Sequence, residues 1–250
     1  MSSPFDQFIL KPIMKLSLFG HDISITNASA SVLLVASFLS LFFIYLSYYM
    51  SKTPGKLQIV VEKLYMLVKN MFDGIVGKKG SSLLPLVFCI FIFIMFINVF
   101  GMIPYNFTPT SHLVFNLIIS ISFMSVITLY GIFLHGMNFF TLFIPSGIPT
   151  LIVPFIAIIE VISYCIRPFS LAIRLTANMT IGHIILKLIA KLILTIIKGS
   201  LMHVLLGVFI LPLFGVLFVI LLQETFVALL QSYVFVLLSC IYTKDVVKLH

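Results

Sequence analysis

Apolar residues arrive along this chain in long unbroken blocks rather than in the half-apolar alternation of a water-soluble domain. No Asp, Glu, Lys or Arg stands between Asp22 and Lys52, and Ala28–Met50 predicts a first membrane span, since about 20 apolar residues cross a bilayer's hydrocarbon as a helix. Tyr45, Tyr48 and Tyr49 close it with rings suited to the headgroup boundary. Charge vanishes again from Gly80 to Ile159, where Leu83–Ile103 and Leu113–Leu134 predict two more spans divided by the turn-rich Pro104–His112. Gly136–Pro149 then interrupts the pattern with glycines and prolines.

Between the first two spans the period changes. Leu57, Val60, Val61, Leu64, Val68, Met71, Phe72 and Ile75 recur at helical spacing, while Lys56, Glu62, Lys63, Lys69 and Asp73 take the other faces. Pro54–Val76 is expected as an amphipathic helix on the membrane surface, with Thr53-Pro54 at its start and Gly77 at its stop; a helix packed on a partner is the competing reading. The surrounding loop Ser51–Leu84 holds six lysines, whereas Pro104–His112 has no Lys or Arg. The positive-inside bias therefore places the lysine loop on the cytoplasmic or matrix side, with the Pro104 loop and the N-terminus outside. The tail with Lys244 and Lys248 falls inside if the last region is one hairpin.

Composition narrows the class. The 250 residues are 61% hydrophobic and 9% charged, with mean hydropathy +1.25, against near half and a quarter for soluble domains. That excludes a soluble enzyme, a disulfide scaffold and a disordered tail. The net charge of +8 is spread along the chain and reads as topology, not as a nucleic-acid surface. Cys89, Cys165 and Cys240 all lie in apolar stretches and are expected to be packing thiols. Residues 1–27 form neither a signal peptide nor a transit peptide, so no cleaved address is expected. A single membrane domain over 1–250 is expected, with an N-terminal segment 1–27, a first span 28–50, a surface helix 54–76, two spans within 83–134 and a hairpin over 149–242. No repeat of fixed period is visible.

The last region, Thr150–Tyr242, is apolar enough for membrane yet carries Glu160, Arg167, Arg174, His183, Lys187, Lys191, Lys198, His203 and Glu224. A charge at the bilayer centre costs roughly 2.5–3.5 kcal/mol even on a lenient scale, so such residues need partners, water or a function. On one helix, Glu160, Ser163, Arg167, Ser170, Arg174 and Asn178 follow at spacings of 3, 4, 3, 4 and 4, a single stripe leading to Arg174. His183, nine positions beyond Arg174, begins a second stripe on another face with Thr176, Thr180, Lys187, Lys191 and Lys198. Two polar paths approach a fixed positive charge and neither passes through. Glu224 and Gln231, seven apart, share one face of the next segment. A carboxylate there is protonated, paired or water-exposed, because desolvation penalises its charged form.

If Pro149–Ile197 is one helix, it is roughly 70 Å long against a hydrocarbon core of about 30 Å. It must lie tilted or be broken, and Pro168 and Gly182 offer places to bend. A hydrophilic loop over Arg167–Asn178, with Arg174 in water, is the alternative. Lys187, Lys191 and Lys198 read as interfacial snorkellers, and His112 and His135 receive no role. Gly74-Ile-Val-Gly-Lys-Lys lacks the Walker spacing, and no zinc-type or nucleophile-elbow motif is present. No metal, cofactor or nucleotide site is therefore expected.

The run Arg167-Pro-Phe-Ser-Leu-Ala-Ile-Arg174-Leu-Thr-Ala-Asn178-Met-Thr-Ile-Gly182-His183 resembles subunit a of F-type ATP synthases, in its mitochondrial form. Ile144-Pro-Ser-Gly-Ile-Pro149 with Pro154 and Glu160, Asn106-Phe-Thr-Pro-Thr-Ser-His112, and Glu224 with Gln231 fit the same family, over about residues 80–242. The resemblance implies an all-α polytopic protein of about five membrane helices and a surface helix, whose last two helices are long and lie nearly in the membrane plane. It implies a proton-translocating stator subunit, not an enzyme by itself, beside a rotor ring of small proteolipids with mid-membrane carboxylates, among other stator subunits. Arg174 matches the family's essential arginine, Asn178 its polar neighbour, and Glu160 the acid of the matrix-side half-channel. His183, Glu224 and Gln231 match the opposite half-channel; in many bacterial members the acid and histidine are interchanged. The mitochondrial inner membrane is the expected location, with a bacterial plasma membrane as alternative. A secondary transporter with a midplane site competes, but it predicts an internal repeat. A non-conducting structural subunit leaves the Glu160–Arg174 stripe and Glu224 without purpose.

Overall fold

A computed structural model describes residues 9–15, 17–18, 21–22, 24–49, 54–103, 106–143, 152–198 and 203–247. Among the described residues the chain is 89% helical, with six α-helices and no sheet core. These are α1 (Asn27–Tyr48), α2 (Lys56–Ile75), α3 (Leu84–Gly101), α4 (Leu113–His135), α5 (Val153–Lys198) and α6 (His203–Val247). Five apolar stretches are long enough to cross a membrane: Asn27–Tyr48, Gly80–Gly101, Leu113–Phe143, Val153–Thr195 and Pro212–Val247. Their outward faces are apolar. In α1, for example, Leu33, Leu34, Phe38, Leu41 and Ile44 are each more than half exposed, a surface suited to lipid rather than water.

Ahead of α1, within the N-terminal segment, lies a small strap of paired strands. Strands β1 (Pro12–Met14), β2 (Ser17–Leu18), β3 (His21–Asp22) and β4 (Ile25–Thr26) pair antiparallel, β1 with β4 and β2 with β3. Asn27 ties the strap to α1: its N–H donates to the Lys11 carbonyl at 3.1 Å, and its side-chain oxygen accepts from the Lys11 N–H at 3.2 Å.

The surface-type helix α2 starts later than expected. Pro54 precedes it, Gly55 sits extended (ψ 164°) as the N-cap residue, and Thr53 lies outside the described residues. Helix thus begins only after the poor helix former Gly55. Its stop is as expected, at Gly77, whose φ of +82° glycine tolerates best. The predicted apolar face packs from Val61 onward and buries Val68 and Phe72, while Leu57 and Val60 stay exposed. Similarly, α4 ends at His135 because Gly136 turns left-handed (φ +56°). The next residues, Gly136–Phe143, form a 3-10 helix where an irregular stretch is expected, and Phe139 buries against the fold. The Ile144–Pro149 motif lies outside the described residues.

Helix α5 is unbroken over 46 residues, so the hydrophilic-loop alternative for Arg167–Asn178 does not hold. Pro168 sits inside it and is buried, despite a typical cost of about 3 kcal/mol in a helix interior. At 1.5 Å per residue such a helix is about 70 Å long and fits a bilayer only when strongly inclined.

The described residues fall into two compact units. One draws on Met1–Val35, Met95–His112 and Leu175–Gln231, the other on Ala36–Ile94, Leu113–Arg174 and Ser232–His250. Within the second, His135 Nε2 lies 3.3 Å from the Val247 carbonyl. Gly80 admits Val76 and Val247 closely, and Gly131 admits Val246 and Phe139. The ends of α2, α4 and α6 and the approach to α3 therefore meet at one place, in keeping with the side that charge bias assigns to the lysine loop and the tail. The cysteines divide: Cys240 is buried as expected, but Cys89 and Cys165 are exposed, because they occupy outward faces of their helices.

A side chain at Gly131 would collide with Val246 and Phe139. Gly131→Val should lower stability by about 1–3 kcal/mol, read as a lower melting temperature of the detergent-solubilised protein; an unchanged melting temperature would contradict this packing.

Candidate functional site

Four of the sequence-predicted residues meet in the first unit. His183 Nδ1 on α5 lies 3.2 Å from Glu224 Oε1 on α6, with side chains only 13% and 5% exposed. The contact has ion-pair distance without the alignment of a hydrogen bond. Gly182 makes the approach feasible, since a Cβ there would stand 3.0 Å from that same carboxylate oxygen. Farther along the antiparallel pair, Asn178 Nδ2 donates to Gln231 Oε1 at 2.7 Å. Asn178 thus joins the His183–Glu224 group, whereas spacing alone placed it on the Glu160–Arg174 stripe.

Two further residues support this group: Asn98, to which the sequence assigns nothing, and Thr180 of the second stripe. Asn98 on α3 donates from Nδ2 to the Ala228 carbonyl at 3.4 Å, between Glu224 and Gln231 on α6. Thr180 Oγ1 donates to the Ser111 carbonyl at 3.2 Å, anchoring the Asn106–His112 loop on α5. Among the described residues, several buried atoms in the unit have no hydrogen-bond partner: His183 Nε2, Glu224 Oε1, Gln231 Nε2, Asn98 Oδ1 and His112 Nε2. Buried polar atoms are costly unless satisfied, and internal water is the usual partner where protein offers none.

The second unit holds a different cluster around Arg167. Its Nη1 donates to Asp245 Oδ2 at 3.0 Å, and its Nη2 lies 3.6 Å from Glu160 Oε1. The guanidinium also lies over the rings of Tyr164 and Tyr242, 5.5 and 5.0 Å from their centroids. The Tyr164 hydroxyl is 2.6 Å from Thr128 Oγ1. Sequence reasoning missed Asp245, Tyr164 and Tyr242. The available signal was acid scarcity: beyond Asp73 the chain has only Glu160, Glu224 and Asp245, and an arginine in an apolar span needs one of them.

The remaining stripe members behave otherwise. Ser163, Ser170 and Arg174 are exposed on α5, and among the described residues no carboxylate lies within ion-pair distance of Arg174. Lys187 is half-buried and Lys191 exposed; the Lys198 and His203 side chains lie outside the described residues. The stripe is realised as one helix, but its residues divide between a compensated cluster and an outward-facing arginine.

Five apolar helices with acid, imidazole and guanidinium groups inside their spans define a multi-pass membrane protein equipped to handle ions. The model of the ATP synthase A chain family matches residues 29–244, and the chain belongs to that family. It is a proton-translocating subunit that functions with other subunits in the ATP synthase complex.

The Gly182 approach yields a graded test. Gly182→Ala must displace the Glu224 carboxyl by a few tenths of an ångström and Gly182→Val by more. Proton-driven ATP synthesis in membrane vesicles should fall in that order while the chain remains in the complex. Equal, wild-type rates in both variants would show that the close approach is irrelevant.

Proposed function

We propose that this chain forms two offset proton half-channels to the carboxylates of a rotor ring, with Arg174 blocking direct passage between them. The observation that carries the reading is the division of polar groups along α5. Glu160 and Arg167 with Asp245 precede Arg174, Asn178 and His183 with Gln231 and Glu224 follow it, and Arg174 is outward-facing with no acid partner among the described residues. A bare guanidinium on an apolar face is expensive, and a ring carboxylate moving past supplies the missing counter-charge. In return, Arg174 stabilises the ionised carboxylate between its release of one proton and its uptake of the next.

Each group suits its task chemically. Arginine stays charged throughout the physiological range, whereas a buried lysine loses its proton readily. Histidine changes protonation near neutrality and pairs with Glu224 as a relay. On the other side, Glu160 and Asp245 offer carboxylates beside the fixed charge of Arg167, with Ser163 and Ser170 as hydroxyls along the same helix. A membrane potential supplies roughly 2.3 kcal/mol per charge per 100 mV, which turns a rotor only if the direct path is shut. The chain makes and breaks no covalent bond in this reading, and ATP chemistry belongs to other subunits. The order of histidine at 183 and acid at 224, with the Asn106–His112 pattern, supports a mitochondrial inner membrane.

Two variants test the reading. Arg174→Lys should largely abolish proton-driven ATP synthesis in vesicles containing the assembled complex; normal synthesis would sink the pairing argument. Glu224→Gln should slow proton entry by about tenfold or more without uncoupling. A large passive leak through that variant, measured by pH-sensitive dye, would contradict its place in a relay.

A further inference from the structure

The loop Asn106–His112 is polar, yet it is not a solvated turn. Thr108, Thr110 and Ser111 are all buried. Ser111 Oγ donates to the Thr108 carbonyl at 2.7 Å, and the His112 N–H donates to the Pro109 carbonyl at 3.0 Å. The loop is fastened to α5 through the Thr180 hydroxyl, which lies between Asn178 and His183. At its end the His112 ring stacks on Phe107, with centroids 5.3 Å apart and planes 19° from parallel. Its Nε2 is buried and has no hydrogen-bond partner among the described residues.

We propose that His112 is a proton-carrying residue at the mouth of the path that His183 and Glu224 serve, and that the Asn106–His112 loop holds it there. This rests on the channel reading above. The loop belongs to the side that charge bias makes external, so a proton arriving from that side meets it first. The titratable side chain nearest Thr180 along α5 is His183, and α6 contributes Glu224 within the same unit. Burial holds the His112 pKa below its ordinary value, which favours the neutral imidazole. A neutral imidazole accepts at one nitrogen and donates from the other. One proton enters from external water at the bare nitrogen and one leaves from the other toward the His183–Glu224 pair through intervening water. The ring is then neutral again as the opposite tautomer, and a half-turn about Cβ–Cγ, which keeps the ring plane, resets it. Stacking on Phe107 fixes the ring plane without using either nitrogen.

The test uses the assembled complex in membrane vesicles bearing His112→Gln or His112→Asn, with the content of this chain in the complex measured alongside. Expected is a fall of about tenfold or more in passive proton flow through the membrane sector, a matching fall in ATP synthesis, and partial recovery on adding imidazole. A purely structural role would not give that recovery. Wild-type flow in both variants overturns the proposal. So does a loss that imidazole does not lessen, or failure of both chains to assemble. Glu224→Gln runs in parallel. If it leaves flow unchanged, the channel reading itself fails; if it slows flow while the His112 variants do not, only the assignment of His112 fails.

Discussion

Placing ionisable groups inside an apolar helix pair is the constraint on which the rest of this structure depends. Within hydrocarbon no bulk water is available to solvate a charge, so each such group must find a counter-charge, a hydrogen-bond partner or internal water. The chain meets this demand in contrasting ways at its two arginines. Arg167 is enclosed by Asp245, Glu160, Tyr164 and Tyr242, which makes it a fixed, locally neutralised charge. Arg174, seven residues farther along the same helix, faces outward with no such enclosure. Identical side chains thus acquire opposite characters from their surroundings, one a clamp between helices and the other a charge open to an external partner.

The His183–Glu224 group shows how backbone permits chemistry. Glycine at 182 removes the Cβ that would press on the Glu224 carboxyl, and the helices pass closely enough for imidazole and carboxylate to meet. Around them Asn178 bonds Gln231, and the amides of Gln231 and Asn98 are only partly satisfied among the described residues. A fully satisfied network would be rigid and closed to water, whereas unmet donors and acceptors draw water in. Water held between titratable groups is what proton movement requires, so the incomplete hydrogen bonding suits the proposed relay.

Much of this was legible from the amino-acid order, because hydrophobicity must match the bilayer segment by segment. Charge-free blocks located the spans, and the 3.6-residue period located α2 and aligned Glu160 with Arg167 and Glu224 with Gln231. The special residues Gly77 and Gly136 marked ends, since positive φ favours glycine wherever it occurs. The start of α2 was misplaced because Pro54 fits a first turn as well as the approach to one. The packing of Cys89 and Cys165 was misjudged because an apolar neighbourhood in sequence says nothing about which face meets lipid.

Tertiary structure decided the pairings. That Asp245 reaches Arg167, that Asn178 bonds Gln231 rather than serving the Arg174 stripe, and that Ser111 is fastened to Thr180 all depend on the register between segments distant in sequence. Periodicity assigns a residue to a face of its own helix but carries no information about which residue of another helix stands opposite. Register is set by the summed packing of many side chains and by close approaches such as those at Gly182 and Gly131. Local pattern therefore determined which residues are polar within the membrane, and only the packed helices decided which of them meet.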